Sequence, residues 1–180
     1  VGVESIITSD IETIKKADKY LLPGVGSFDH GINSLKNAPF FETLEKEVLE
    51  NKKPILGICL GMQLLTNSSE EGKEKGLGWI DAQTIKFDLE DKSLSIPHMG
   101  WNKTNPTNTN DVFKNLEDNR FYFVHSYHVV CNNEKNILAT ANYGQTFTCS
   151  IYKDNIYGVQ FHPEKSHKFG MQLLKNFGEM

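Results

Sequence analysis

The sequence predicts one α/β domain: a parallel sheet covered by helices on both faces, followed by a strand-rich second half. Three observations predict it. Strand-like apolar runs alternate with helix-periodic segments up to Ser69; β-branched and aromatic runs separated by turn residues take over from Gly76; and no linker, repeat or low-complexity segment divides the chain. A length of 180 residues suits a single domain, 1–180, with its own core.

The elements follow in order. In "SDIETIKKA", Ser9 and Glu12 fit a capping box that starts a short helix, and "ADKYLLPG" turns into a strand at Tyr20 to Leu22. "FFETLEKEVLEN" repeats apolar residues at Phe40 or Phe41, Leu44 and Val48, the spacing of a helix with one buried face. "PILGI" is a buried-strand run, and "LGMQLL" continues it as helix. In the second half, "GLGWIDAQTIKFD", "SLSIPHMGWNKT", "RFYFVHSYHVV", "NILATANY", "TFTCSIYKD" and "NIYGVQFHP" are predicted strands, with a tight hairpin at Asp154 and Asn155. The Asn-rich run from Asn102 to Asp111 reads as a loop. The closing "SHKFGMQLLKNF" places Phe169, Leu173 and Phe177 on one face of a helix that Ser166 is positioned to cap.

Composition excludes several classes of function. With a net charge of −4 and a single arginine, Arg120, there is no basic stripe for a phosphate backbone. No apolar run approaches the roughly 20 residues of a membrane helix, and no signal peptide opens the chain. Cys59, Cys131 and Cys149 form no CxxC pair, so neither a disulfide framework nor a zinc site is expected, and a reducing cytoplasm is the natural setting. Cys131 and Cys149 are expected to be packing residues. His125 and His128 lie in one predicted strand and should face opposite ways; with His30, His98 and His167 they form no metal-ligand spacing, so no metal is assigned. No cofactor is implied.

Three segments carry the chemistry. Gly57-Ile58-Cys59-Leu60-Gly61 has the form of a nucleophile elbow, in which a strand turns sharply into a helix and small flanking residues let the backbones pass. At such a helix start the cysteine should gain thiolate character, and the Leu60 N–H should face an oxyanion. A buried cysteine is also an ordinary packing residue, so a base must decide. "GVQFHPEKS" supplies one: in an extended segment His162 and Glu164 lie on the same side, so the carboxylate holds the imidazole while its other nitrogen faces the thiol. On its own, His-Pro-Glu is better read as a polar strand exit; the cysteine elbow 103 residues earlier reverses that balance. "LPGVGSF" (Leu22 to Phe28) lacks both the P-loop lysine and the third glycine of a dinucleotide site, which leaves a bare glycine turn or a strip of N–H groups beside the nucleophile. Ligands of parallel sheets bind at the carboxyl ends of strands, so this turn and the elbow should share an edge.

Taken together, "LPGVGSFDHGI", "PILGICLGMQLL", "SSEEGKEKGLGWI", "IPHMGWN", "VHSYHV" and "GVQFHPEKS" resemble, in that order over the whole chain, the class I (triad) glutamine amidotransferases. Within that family the likeness is to the glutaminase subunits of imidazole glycerol phosphate synthases. The resemblance implies a three-layer α/β/α, flavodoxin-like fold with a central, mostly parallel sheet. It implies a triad of Cys59, His162 and Glu164; an oxyanion strand at Gly24, Val25 and Gly26 with Leu60; and glutamine held near Gln63, Glu71, Ser126 and Tyr127. It also implies a heterodimer with a (β/α)8-barrel cyclase subunit, reached through Trp101, Tyr122 and Lys165, which receives ammonia to act on PRFAR. His98, inside "IPHMGWN", is then a structural or interface residue. From residue types alone, Trp101 and Tyr122 would be core aromatics and Lys165 a solvated charge.

The family's usual opening strand, glycine-containing turn and helix are missing ahead of "VGVESIITSD", which marks the sequence as an N-terminally incomplete version of such a domain, poorly stable alone. Three other readings share some of these motifs: a paralogous glutaminase feeding a sugar-amidating synthase of surface polysaccharides, a free-standing Cys-His hydrolase, and a non-catalytic assembly subunit.

Overall fold

The computed structural model describes residues 1–107, 111–116 and 118–180. Residues 1–10 run without regular structure into α1 (Ile11–Lys16). Its cap is Asp10, one residue later than expected. The Asp10 carboxylate accepts the Thr13 N–H at 2.8 Å, while Glu12 reaches forward to Lys15 instead of back to Ser9. Then come β1 (Tyr20–Gly24), α2 (Phe28–Lys36), α3 (Phe41–Leu49), β2 (Ile55–Cys59) and α4 (Leu60–Leu64). Helix α2 has no counterpart in the sequence prediction, although Phe28, Ile32 and Leu35 recur at helical spacing and are all buried.

The second half supplies β3 (Ser68–Ser69), β4 (Ala82–Lys86), β5 (His98–Pro106), β6 (Arg120–His125), β7 (Tyr127–Cys131), β8 (Ile137–Tyr143), β9 (Gln145–Lys153) and β10 (Ile156–Val159). The chain ends in α5 (His167–Glu179). The Asn-rich run is strand as far as Pro106, because Thr104 to Pro106 pair with Ala139 to Ala141 of β8; residues 108–110 of that run lie outside the described residues. The hairpin at Asp154 joins β9 to β10 with Asp154 at φ 56°.

One sheet path runs β1-β2-β10-β9-β7-β4-β3, with β5, β6 and β8 branching from it. The strands β1, β2 and β10 are parallel to one another, whereas β10–β9, β7–β9 and β4–β7 are antiparallel. Alternation along β2 divides the core in two. Ile55 joins the residues of α2 and α3 on one face, and Leu56 and Ile58 join Leu173 and Phe177 of α5 with Phe121, Phe123 and Phe161 on the other. Ser166 does stand at the start of α5, but its hydroxyl is engaged elsewhere. It donates to the His162 carbonyl at 2.6 Å and accepts the Tyr122 N–H at 2.9 Å, tying β6 to the segment after β10. No helix among the described residues is long and apolar enough to cross a membrane.

Candidate active site

Cys59 closes β2 with φ 54° and ψ −110°, a region that non-glycine residues avoid, and the chain passes directly into α4. Two close approaches make the turn possible. A Cβ on Gly57 would lie 2.7 Å from the Gly61 carbonyl, and one on Gly61 would lie 1.8 Å from the Leu22 carbonyl oxygen. The glycines flanking Cys59 are therefore required by backbone contact, as the elbow pattern predicts. In register, Gly24 of β1 stands opposite Cys59 and Val159 of β10 stands opposite Ile58. "LPGVG", the elbow and "QFHPE" thus meet at the carboxyl ends of three neighbouring parallel strands, the edge where a ligand is expected. Past β1, Gly26 turns at φ 98° and the Val25 side chain points to solvent.

His162 is buried and Glu164 is half exposed, and their contact is short: Nδ1 to Oε1 is 2.6 Å. The route differs from the extended one expected. Pro163 to Lys165 form a 3₁₀ turn, begun by the proline, which folds the carboxylate back onto the ring. Because a carboxylate only accepts, Nδ1 carries the proton, and in the neutral ring Nε2 is the nitrogen left with a lone pair. That Nε2 is buried and, among the described residues, has no hydrogen-bond partner. An unpaired buried acceptor is costly, so it is the place where a proton from a thiol or a leaving group would be received.

The sulfur itself is held as a thiol. Burial pushes Cys59 up to about 11, the Leu60 N–H pulls the other way, and the negative charge of Glu164 adds to the rise. Gln160 and Lys165 oppose it more weakly. The expectation of thiolate character at the start of α4 is corrected here: the helix is five residues long, and its field does not offset desolvation.

Gln160 is a contact that the motifs did not single out. It is fully buried, and its Nε2 lies 3.8 Å from Cys59 Sγ. The signal was present, since Gln160 precedes His162 by two residues in an extended segment and so shares its face. Gln63, buried on α4, donates from Nε2 to Gln160 Oε1 at 3.0 Å and to the Tyr127 carbonyl at 3.4 Å. Glu71 approaches from the other side, its Oε2 accepting the Phe28 N–H at 2.8 Å where "LPGVGS" enters α2. Ser126 sits between β6 and β7, and its carbonyl accepts the Phe87 N–H at 3.1 Å. Gln63 and Tyr127 are thereby linked to the sulfur through Gln160, and Glu71 is placed beside the glycine turn.

Trp101 and Tyr122 are cross-strand neighbours of β5 and β6, their rings 6.2 Å apart. They are not core aromatics. Trp101 is 46% exposed, stacks on His167 at 5.5 Å, and lines a cavity of about 430 Å³ with Arg120, Lys168 and Phe169. The Tyr122 carbonyl accepts the His162 N–H at 2.9 Å, so this face is one residue's thickness from the imidazole. Lys165 is exposed on the same turn as Glu164.

His125 and His128 do not face opposite ways. The strand is interrupted at Ser126, and both rings pack on Phe87, with centroids at 5.2 and 4.7 Å. His98 joins them, donating from Nδ1 to His125 Nε2 at 3.0 Å, and burial holds His98 down at about 4 and His125 at about 3. No group of His, Cys, Asp or Glu among the described residues is arranged to hold a metal. Cys149 is buried and Cys131 half-buried, each held protonated by desolvation.

Residues 3–180 match the sequence model of the family "Glutamine amidotransferase class-I". The chain is a class I glutamine amidotransferase. It is 58% identical over 178 residues to imidazole glycerol phosphate synthase subunit HisH 2 of Methanococcus maripaludis, an alignment covering 98% of this chain and 88% of that one. It is 46% identical over 181 residues to the protein of the same name from Pseudomonas aeruginosa, covering 100% and 89%. Among solved structures, a glutamine amidotransferase aligns with a TM-score of 0.73 at 15% identity, over 98% of this chain and 88% of that chain. A putative GMP synthase protein from Thermoplasma acidophilum aligns at 0.68 and 21%, over 97% and 79%. At those identities the structural likeness is one of fold. The amidotransferase fold therefore matches the class expected from sequence, and the enzyme class comes from the family itself.

Proposed function

We propose that this amidotransferase is the glutaminase subunit of an imidazole glycerol phosphate synthase, acting in the cytoplasm. It hydrolyses L-glutamine to glutamate and ammonia, and the ammonia passes to a (β/α)8-barrel cyclase that converts PRFAR to imidazole glycerol phosphate and AICAR. The observation that carries the reading is the His162–Glu164 pair, whose buried Nε2 has no hydrogen-bond partner among the described residues, in the segment that follows β10, the strand paired in parallel with β2, which ends at Cys59. The names of the 58% and 46% identical relatives support the choice of synthase.

Cys59, His162 and Glu164 act as a triad. His162 Nε2 takes the thiol proton, and Sγ attacks the side-chain carbonyl carbon of glutamine. The N–H groups of Leu60 and of the Gly24, Val25 and Gly26 strand receive the oxyanion. His162 then protonates the departing ammonia and activates the water that cleaves the thioester, while Glu164 orients the ring and stabilises its charged form. Gln63, Glu71, Ser126 and Tyr127 hold the substrate. The subunit reading expects weak glutaminase activity that rises when the synthase and its ligand are added, with His162 Nε2 available to take the proton of the buried Cys59 thiol. Ammonia released into neutral water would be protonated and lose its nucleophilicity, which is why the glutaminase docks on its acceptor. The docking face is that of Trp101, Tyr122 and Lys165.

The test is a glutaminase assay with and without the barrel partner and PRFAR, paired with Cys59→Ala. Glutamine-dependent turnover disappears in the variant, whereas turnover with added ammonium salt persists on the partner. Loss of both, or activation only by a sugar-amidating synthase, contradicts the assignment.

A further inference from the structure

The hydrogen bonds around Cys59 have a fixed polarity, and its origin is a single backbone carbonyl. The Tyr127 carbonyl oxygen can only accept. It meets His125 Nδ1 at 2.7 Å and Gln63 Nε2 at 3.4 Å. His125 Nδ1 must therefore carry its proton, which leaves Nε2 to accept from His98 Nδ1 at 3.0 Å, and His98 Nε2 to accept from Asn102 Nδ2 at 3.3 Å. On the other side, Gln63 turns its NH₂ toward the carbonyl and donates from it to Gln160 Oε1 at 3.0 Å. With its oxygen held, Gln160 has one group left to offer the sulfur, its NH₂, at 3.8 Å. Turning the Gln160 amide over would set two NH₂ groups against each other in a dry interior, so the orientation is locked.

A fixed donor aimed at a buried sulfur favours the charged form of that sulfur over the neutral one. We infer that Gln160 stabilises the Cys59 thiolate as it forms, held in that orientation by Gln63 and the Tyr127 carbonyl. This rests on Cys59 being the nucleophile and adds a further catalytic residue in direct contact with the reacting atom. The long contact suits a resting thiol, a poor acceptor, and shortens when Sγ becomes charged. Gln160 also receives no solvent, so in its absence nothing replaces the donor. The Leu60 N–H, the other donor to the sulfur, is then free to turn to the substrate oxyanion.

The test measures the rate of Cys59 alkylation by iodoacetamide in the full chain across pH 7 to 10. Mass spectrometry of the peptide carrying Cys59 separates it from Cys131 and Cys149. The reaction forms an Sγ–CH₂ bond, expels iodide and requires the thiolate, so below the thiol pKa the rate follows the thiolate fraction. Gln160→Met, which keeps the volume and removes the donor, is expected to slow modification about tenfold at pH 8 and to move the limb up by about one pH unit. Gln160→Glu is expected to slow it further, because a carboxylate replaces a donor with a negative charge. A packing role predicts the opposite order, with the near-isosteric Glu behaving like Gln. Gln63→Leu leaves Gln160 in place but frees its amide to turn, and a smaller slowing is expected; it decides the matter if neither Gln160 variant gives a native melting curve. Equal rates in all variants overturn the inference while leaving Cys59 as nucleophile. No modification of Cys59 in the unsubstituted chain overturns the nucleophile itself, and the inference with it.

Discussion

At the scale of single residues, two members of the proposed triad are governed by opposing means. Cys59 is pushed up to about 11 by burial, while His162 is steered by one 2.6 Å contact to Glu164 that settles which nitrogen is free. Glu164→Gln should therefore lower glutamine turnover without abolishing it, by about 10- to 100-fold in kcat, the worth of a hydrogen bond to a charged partner. An unchanged kcat would mean that His162 is oriented by another group. His125 supports a second prediction. Burial holds it at about 3 in the folded chain, against about 6.5 when unfolded. Above pH 6.5 both states are neutral and it has no effect on stability; below, the unfolded chain takes up a proton that the folded chain refuses. Stability should then fall as pH drops from 6.5 toward 3, with His125 contributing up to about 1.4 kcal/mol per pH unit. Urea unfolding at pH 7 and pH 5 measures it, and His125→Asn should flatten the slope.

At the scale of elements, the candidate site at Cys59 depends on how tightly α4 is folded onto β1 and β2. A methyl at Gly61 would overlap the Leu22 carbonyl, a backbone atom that cannot rotate away. Gly61→Ala should cost on the order of 3 kcal/mol or more in urea unfolding and displace the elbow. A variant of native stability would mean that the strand-to-helix turn is looser than its contacts indicate. Ser166 is the corresponding joint on the other side. Its buried hydroxyl links the Tyr122 N–H to the His162 carbonyl, so Ser166→Ala should cost about 1–3 kcal/mol and lower kcat by loosening His162. The sequence offers Ser166 as a helix cap, and the position is right. Its bonding partners lie on β6 and in the segment after β10, and the link to β6 is one that local sequence does not reveal.

At the scale of the whole molecule, three parallel strands align Gly24, Cys59 and the Gln160–His162 segment, and the β5–β6 pair sets Trp101 and Tyr122 on the outside of that same segment. If the proposed docking face is right, Trp101→Ala should weaken binding of the partner subunit about tenfold or more by calorimetry while leaving the melting temperature nearly unchanged, since the ring is already 46% exposed. Loss of stability without loss of binding would return Trp101 to the core. By itself the sequence determined that the chain is an α/β amidotransferase and named the elbow at Cys59 and the pair His162 and Glu164. Those features rest on local constraints, glycine spacing around a turn and two residues joined by a proline, which leave their mark in consecutive positions. Only the tertiary structure decided that burial raises the Cys59 thiol, that His98, His125 and His128 share one cluster, and that Gln160 presents its NH₂ to the sulfur. Desolvation and amide polarity depend on neighbours far away in the chain, here Gln63 and the carbonyl of Tyr127, which meet Gln160 only once the sheet has closed around them.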